Sequence, residues 1–336
     1  MSAAFAEALP KAELHVHLEG TLEPEDLMRF AARNGVELPW RTPDEVRAAY
    51  SYTDLGEFLQ LYYMGCTVLA SRADFHELTT AYLQRAAAQG VRRAEMFVSP
   101  QSFMGRVPVA DVLGGVLDAI ADARTDLGVD GAVLVIAQRH RTETEALDLL
   151  DVIAPLRESL LGVGLGGAEV GNPPSKFARF FADARRRGYR LACHAGEEGP
   201  AEYVREALDA GVERIDHGYT AAADPALVAR LRDEGVPLTM CPLSNLRLRV
   251  VDTLEDYPVM RLHDEGVVVS VNSDDPPCFG GYVADNYTAL GLSTAQLAAL
   301  ARSSFSASFA PADDVAAGIV AVDAFVGSQP NVADAP

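Results

Sequence analysis

Eight short runs with strand character, most of them separated by amphipathic segments of helical period, predict an α/β chain folded as a (β/α)8 TIM barrel, with a helical insertion after the first strand. The length of 336 residues suits one such barrel as a single domain over 1–336, with a barrel core at about 9–310 and the insertion at about 24–90. Alternation alone leaves a doubly wound open sheet as the rival architecture.

The runs cover residues 12–19 (AELHVHLE), 93–100 (RAEMFVSP), 131–138 (GAVLVIAQ), 161–169 (LGVGLGGAE), 189–197 (YRLACHAGE), 214–219 (RIDHGY), 237–245 (PLTMCPLSN) and 267–276 (VVVSVNSDDP). Between them, residues 109–124, 144–156, 175–187, 201–210 and 225–234 carry apolar side chains at three-to-four spacing. Helix punctuation agrees with these limits. Pro174 and Ser175 open one helix that Gly188 closes, and Asp224 before Pro225 forms an N-cap arrangement. More than 70 residues part the first two runs and hold three expected helices near 24–34, 53–69 and 73–89, rich in Leu, Tyr, Phe and Met. An insertion there sits over the C-terminal face of a barrel and can act as a lid, although helical spacing of these apolar residues favours packing for most of Phe58, Leu59, Leu61, Tyr62 and Tyr63. The closing NVADAP reads as a frayed end.

Charge narrows the function. Lys and Arg number 28 against 48 Asp and Glu, giving a net charge of −20, which excludes a nucleic-acid backbone or an anionic membrane as partner because both demand a basic face. No apolar stretch has membrane-spanning length, and Glu7, Pro10, Lys11 and Glu13 interrupt any signal-peptide pattern, so a cytoplasmic protein is expected. Cys66, Cys193, Cys241 and Cys278 lack paired spacing and read as buried apolar residues.

Chemistry gathers at the ends of the runs. His15 and His17 lie at i and i+2 on the first, so both imidazoles face one side and can converge on an ion. His194 ends the fifth run in HAGEEG, His217 ends the sixth in RIDHG, and Asp274 with Asp275 ends the eighth in NSDDP. The C-terminal ends of barrel strands are where such enzymes keep their active sites. His76 and His263 fall in helical stretches and read as structural or solvated, whereas His140, beside Arg139 after the third run, is open to a pocket role. Pro242 to Asn245 reads either as a substrate contact or as a brace for the site.

LHVHLEGTLEP, HAGEEGP, RIDHG, TMCPLSN and VNSDDPPCFGGY together resemble the adenosine and adenine deaminase family of zinc aminohydrolases, within the amidohydrolase superfamily, over residues 9 to about 290. EVGNPPSKF, HAGEEGP and the NSDDP segment look most like the adenine deaminase type. The resemblance implies one zinc ion per chain held by His15, His17, His194 and Asp274. The fourth run ends on Glu169 with no lysine before Lys176, which argues against a lysine-bridged two-metal site.

By the same resemblance Glu197 protonates N1 of a purine as water attacks C6, and His217 with Asp274 orients that water. Asp275 meets N7 with a raised pKa, and the backbone of Gly167 meets N3. Asp275 is expected to point away from Asp274 by strand alternation or a local kink. Glu19, where nucleoside enzymes more often carry aspartate, favours a free base as substrate.

Two departures from the adenine-type pattern imply a pocket of altered shape: small residues at Gly166, Gly167 and Ala168, and Ser99 and Phe103 where acidic and histidine residues are usual. The expected activity is therefore hydrolytic deamination of a 6-aminopurine, adenine first. The alternatives are an N9-substituted adenine such as adenosine or aminodeoxyfutalosine, a modified adenine, or a catalytically silent purine-binding barrel. Among partners, a small-molecule purine is expected and a homo-oligomer is left open.

Overall fold

The computed structural model describes residues 2–329, so the closing NVADAP lies outside the described residues. Eight parallel strands pair in chain order: β1 (Lys11–His17), β2 (Val91–Val98), β3 (Asp130–Gln138), β4 (Gly162–Gly166), β5 (Arg190–Ala195), β6 (Arg214–His217), β7 (Leu238–Met240) and β8 (Val269–Val271). An open doubly wound sheet would reverse its order at a switch point, and this one does not. Instead β8 returns to β1. Beyond its last regular residue it forms a parallel bridge between Val16 and Asp274, with the His17 N–H donating to the Asp274 carbonyl at 2.9 Å and the Asp274 N–H donating to the His15 carbonyl at 3.0 Å.

The later strands are shorter than their apolar runs. β7 and β8 keep three residues each, because the remainder of each run leaves the ladder to carry polar groups into the mouth of the barrel. Pro242 to Asn245, read as a substrate contact or a brace, fall in the short helix Pro242–Arg247. Among the barrel helices, Pro225–Glu234 begins as its sequence implies, with the Asp224 carboxylate accepting the N–H groups of Ala226 and Leu227. A large apolar core lies between strands and helices, and a second small cluster of Phe97, Leu134, Ile136 and Ala192 fills the barrel.

The segment after β1 contains one helix more than expected. Pro24–Asn34 forms as read, Leu55–Cys66 is shorter than its run, and Pro43–Ala49 was not anticipated, although Thr42 caps it by accepting the Glu45 N–H. Arg72–Ala88, expected in the insertion, packs against β2 and the helix Val109–Asp126 and is the barrel's own first crossover helix. The added cover is therefore the three shorter helices that precede it. At the other end Thr294–Ser306 packs on β1 and β8 and covers the seam from outside.

The Asn272 side chain holds the seam one step deeper in the barrel, where its Oδ1 accepts the buried Leu14 N–H at 2.8 Å. Asn272→Ala leaves that donor without a partner. Chemical denaturation should read a loss of about 1–3 kcal/mol, against no change for an exposed control.

Candidate active site

His15 and His17 end β1 and face inwards, and His194 ends β5. Nδ1 of His15 lies 3.0 Å from the Thr239 hydroxyl and 3.3 Å from the Thr239 carbonyl, while Nδ1 of His194 lies 3.3 Å from Asp216 Oδ2. Those acceptors favour the proton on Nδ1 in both rings, which leaves the Nε2 lone pairs free. They converge. His17 Nε2 stands 3.0 Å from His194 Nε2, and Asp274 Oδ1 lies 3.4 Å from His15 Nε2 and 3.5 Å from His17 Nε2.

Burial brings His17 down to about 3 and lowers His194 as well, so these rings are the neutral form that binds metals. Burial opposes the charge on Asp274, yet contacts with His15, His217 and His17 hold its carboxyl well below the usual carboxylate range. His15 Nε2 has no hydrogen-bond partner, and ligand atoms of His15, His17 and His194 all lie within 4.8 Å of one another. Three imidazole nitrogens, one of them buried and unpartnered, beside one anionic carboxylate suit a divalent ion of the zinc type.

One carboxylate orients two of these rings. Asp216 faces His194 directly and accepts the hydroxyl of Thr239, which faces His15. Behind it, buried Arg214 lies 3.6 Å from Asp216 Oδ1 and pairs with buried Glu95. Asp216 is missed by a reading of likely ligands, although it stands next to His217 in RIDHG and its acidic side chain on an interior strand is the available signal.

The proton-transfer candidates lie beside this cluster. His217 and Asp274 both take the left-handed conformation at φ 65°, rare for residues with side chains and found where a site redirects its groups. His217 Nε2 is 3.6 Å from Glu197 Oε2 and 3.9 Å from Asp274 Oδ2. Burial, then the charges of Asp274 and Glu169, push the Glu197 carboxyl well above its usual range; burial and adjacent Asp274 do the same to Asp275. The kink at Asp274 replaces simple alternation, and both Asp274 and Asp275 line one pocket. Gly20 makes room for Asp275, because any Cβ at that position would collide with the Asp275 carboxylate.

That pocket encloses about 470 Å³ of empty space, part of it open to solvent. Its floor carries His17, His194, Glu197, His217, Asp274 and Asp275, and Gly166 and Gly167 form one wall. A Cβ on Gly166 would come within 3.2 Å of the Ile136 side chain, tighter than ordinary contact, and Gly167 adopts φ 96°, a conformation that favours glycine. The roof is Leu55, Phe58, Leu59, Tyr62 and Tyr63, so four of the five insertion residues for which packing was favoured face the pocket, and Leu61 lines a smaller neighbouring cavity.

Other expected positions fall elsewhere. Glu19 does not line this pocket; its Oε1 accepts the Ser99 N–H at 2.7 Å, it borders the neighbouring cavity, and burial pushes its carboxyl up to about 7. Ser99 lines the main pocket, but Phe103 is packed in the core against Phe75, with ring centroids 4.8 Å apart, and does not shape it. His140 is exposed with its ring 5.8 Å from that of Tyr63. Asn245 accepts the Tyr257 hydroxyl at 2.7 Å and acts as a brace. His76 meets Asp122 on the surface, and all four cysteines are free and buried.

Loss of an orienting carboxylate behind histidine ligands typically costs 10- to 100-fold in metal affinity. Asp216→Asn should weaken divalent-metal binding by about that factor in a chelator competition, without loss of the folded state.

Known proteins share this architecture. A family model described as adenosine deaminase matches residues 10–324. An adenine deaminase of Rhodopseudomonas palustris is 47% identical over 317 residues, covering 93% of this chain and 92% of its own length. One of Cupriavidus necator is 48% identical, covering 98% and 97%. The crystal structure of adenine deaminase from Arthrobacter aurescens superposes with a TM-score of 0.93 at 46% identity, covering 96% of this chain and all of that one. An amidohydrolase from Burkholderia ambifaria, solved with bound zinc, reaches 0.88 at 27% identity, covering 97% and 94%. A match over nearly the whole chain, joined to relatives close to half identical, means that the chain belongs to the adenosine deaminase family.

Proposed function

We propose that this chain is a zinc-dependent aminohydrolase that converts adenine to its 6-oxo product and ammonia. The observation that carries the reading is one pocket in which the buried carboxyls of Glu197 and Asp275 lie beside Asp274 and the histidine cluster, with Glu197 Oε2 3.6 Å from His217 Nε2; burial and the Asp274 charge push both carboxyls towards the protonated form. A neutral carboxylic acid donates a hydrogen bond, and a purine offers unprotonated ring nitrogens as acceptors. The curated relatives named adenine deaminase support the free base as substrate, and the zinc bound to the Burkholderia ambifaria protein supports the metal.

His15, His17, His194 and Asp274 would hold one zinc ion per chain. Zinc at such a site supplies Lewis acidity that brings the pKa of water towards neutrality. The chain's own residues do the rest. Glu197 donates its proton to N1, which turns C6 into an electrophile. His217, held between Glu197 and Asp274, orients the attacking water and keeps its proton within reach of a carboxylate. Addition of water makes C6 tetrahedral; of the water's two protons one passes to the amino group, which departs as ammonia, and the other returns Glu197 to its acid form, leaving the C6 oxo group and the proton on N1. Asp275 donates to N7 and the Gly167 N–H to N3, fixing the ring in its plane. Glu19 contributes through Ser99, whose N–H it holds and whose side chain lines the pocket. The apolar roof from the insertion excludes bulk water from the ring.

Glu197→Gln keeps the shape but cannot donate and then recover a proton. Its kcat should fall by about 10²–10⁴ with metal content unchanged, and full turnover would overturn the acid assignment. An ultraviolet assay with adenine, adenosine and N9-extended adenines at equal concentration should rank adenine first by kcat/KM; adenosine at parity would assign the pocket to N9-substituted substrates. Elemental analysis should find one zinc per chain, and chelation should abolish activity until zinc is restored.

A further inference from the structure

Beyond the end of β5, the GEEG part of the HAGEEG segment that bears Glu197 has no regular structure of its own, yet all four of its backbone N–H groups end on a single side chain. Gly196 N donates to Glu169 Oε1 at 2.6 Å, and the N–H groups of Glu197, Glu198 and Gly199 donate to Glu169 Oε2 at 3.0, 2.9 and 2.7 Å. Glu169 is fully buried after β4, and all of these bonds cross between the fourth and fifth strand ends. Successive N–H groups pointing into one concavity form an anion nest, and charge-assisted bonds of this kind are about twice as strong as neutral ones.

The glycines fit the same device. Gly196 adopts φ 73°, and a Cβ on Gly199 would lie 2.6 Å from the Glu169 Cδ. Side chains are thus excluded where the loop wraps the carboxylate. From the other side the carbonyl of His194 accepts Arg139 Nη1 at 2.6 Å, so the loop is fixed at both its histidine and its glycine end. No other hydrogen bond among the described residues holds the Glu197 backbone N–H.

We propose that Glu169 is a positioning residue for the deamination: its carboxylate fixes the backbone from Gly196 to Gly199 and thereby sets the Glu197 carboxyl 3.6 Å from His217, where proton transfer to the purine ring takes place. Glu169 touches neither substrate nor metal cluster. An amide does not satisfy the nest, whose donors reach both oxygens, because it accepts on one side only and turns its NH₂ group towards other donors.

This inference rests on the acid role proposed for Glu197, so both residues are tested together. Glu169→Gln should lower kcat by about 10²-fold, the scale for sub-ångström to ångström misplacement of a catalytic group, with KM within about threefold of the parent and zinc content unchanged. Deuterium exchange should rise at the amides of 196–199 and stay level elsewhere. Gly199→Ala presses on the carboxylate from the loop side while retaining the Glu169 charge; it should reproduce the fall in kcat and the local exchange, and it serves if Glu169→Gln fails to fold. Parent-level kcat in either folded variant with unchanged exchange at 196–199 overturns the proposal, as does a fall in kcat matched by loss of zinc or a rise in KM. Glu197→Gln separates the two readings. Full turnover in that variant defeats the acid assignment, whereas an inactive Glu197→Gln beside a fully active Glu169→Gln defeats only the positioning role.

Discussion

The closure of the barrel and the assembly of its donor cluster depend on the same backbone. Asp274 joins β8 to β1 by exchanging hydrogen bonds with His15 and His17, and the side chains of these three residues meet a few ångströms away. A parallel sheet of eight strands must tilt and shear to close, and its last ladder is the one with least latitude. Here the ladder is a bridge set by a residue in the left-handed conformation. The strain of that conformation is borne by the seam, with Asn272 holding Leu14 beneath it and Glu13 accepting the N–H of Ser273 at 3.2 Å beside it. Any change that loosens the seam therefore moves both ends of the donor cluster.

Crowding sets the acid–base chemistry. Three carboxyls, Glu197, Asp274 and Asp275, share a buried pocket in which they cannot all be charged. The imidazoles around Asp274 settle which one keeps its charge, and its anion then holds the other two towards the neutral form. The result is two hydrogen-bond donors flanking one anion, within a protein of net charge −20 that has no electrostatic reason to repel a neutral base. Support for this arrangement extends well below the pocket. Asp216 faces His194 and reaches His15 through Thr239, and the buried Arg214–Glu95 pair lies beneath it, so a polar column replaces part of the apolar filling of the barrel.

The insertion completes the pocket by shape more than by charge. Its helix Leu55–Cys66 delivers Leu55, Phe58, Leu59, Tyr62 and Tyr63 to the roof, and Phe58 packs on Phe279, which follows the Asp274–Asp275 turn, at 4.6 Å between ring centroids. Roof and floor are thus mechanically linked through aromatic contacts, this one and the edge contact of Tyr62 with His17 at 6.4 Å between ring centroids. The apolar roof and the polar floor divide the labour usual in small-molecule sites, in which apolar walls exclude water and a few polar groups fix orientation.

The sequence by itself determined the eight strands and their places along the chain, and the positions of His15, His17, His194, Glu197, His217, Asp274 and Asp275 at or just beyond strand ends, because hydrophobic period and local motifs are written in neighbouring residues, while the pairing order that sets the barrel apart from a doubly wound sheet is a tertiary fact. It also located the insertion, though not its limit: the period of Arg72–Ala88 is the same whether the helix covers a mouth or a barrel wall. Only the tertiary structure decided that Phe103 faces Phe75 and not the pocket, that Glu19 turns to Ser99, and that Glu169 gathers the amides of a loop on the next strand. Each of these is a contact between segments distant in the chain, 27 to 80 residues apart for the two glutamates, and no local pattern of residues records which partner a buried side chain meets.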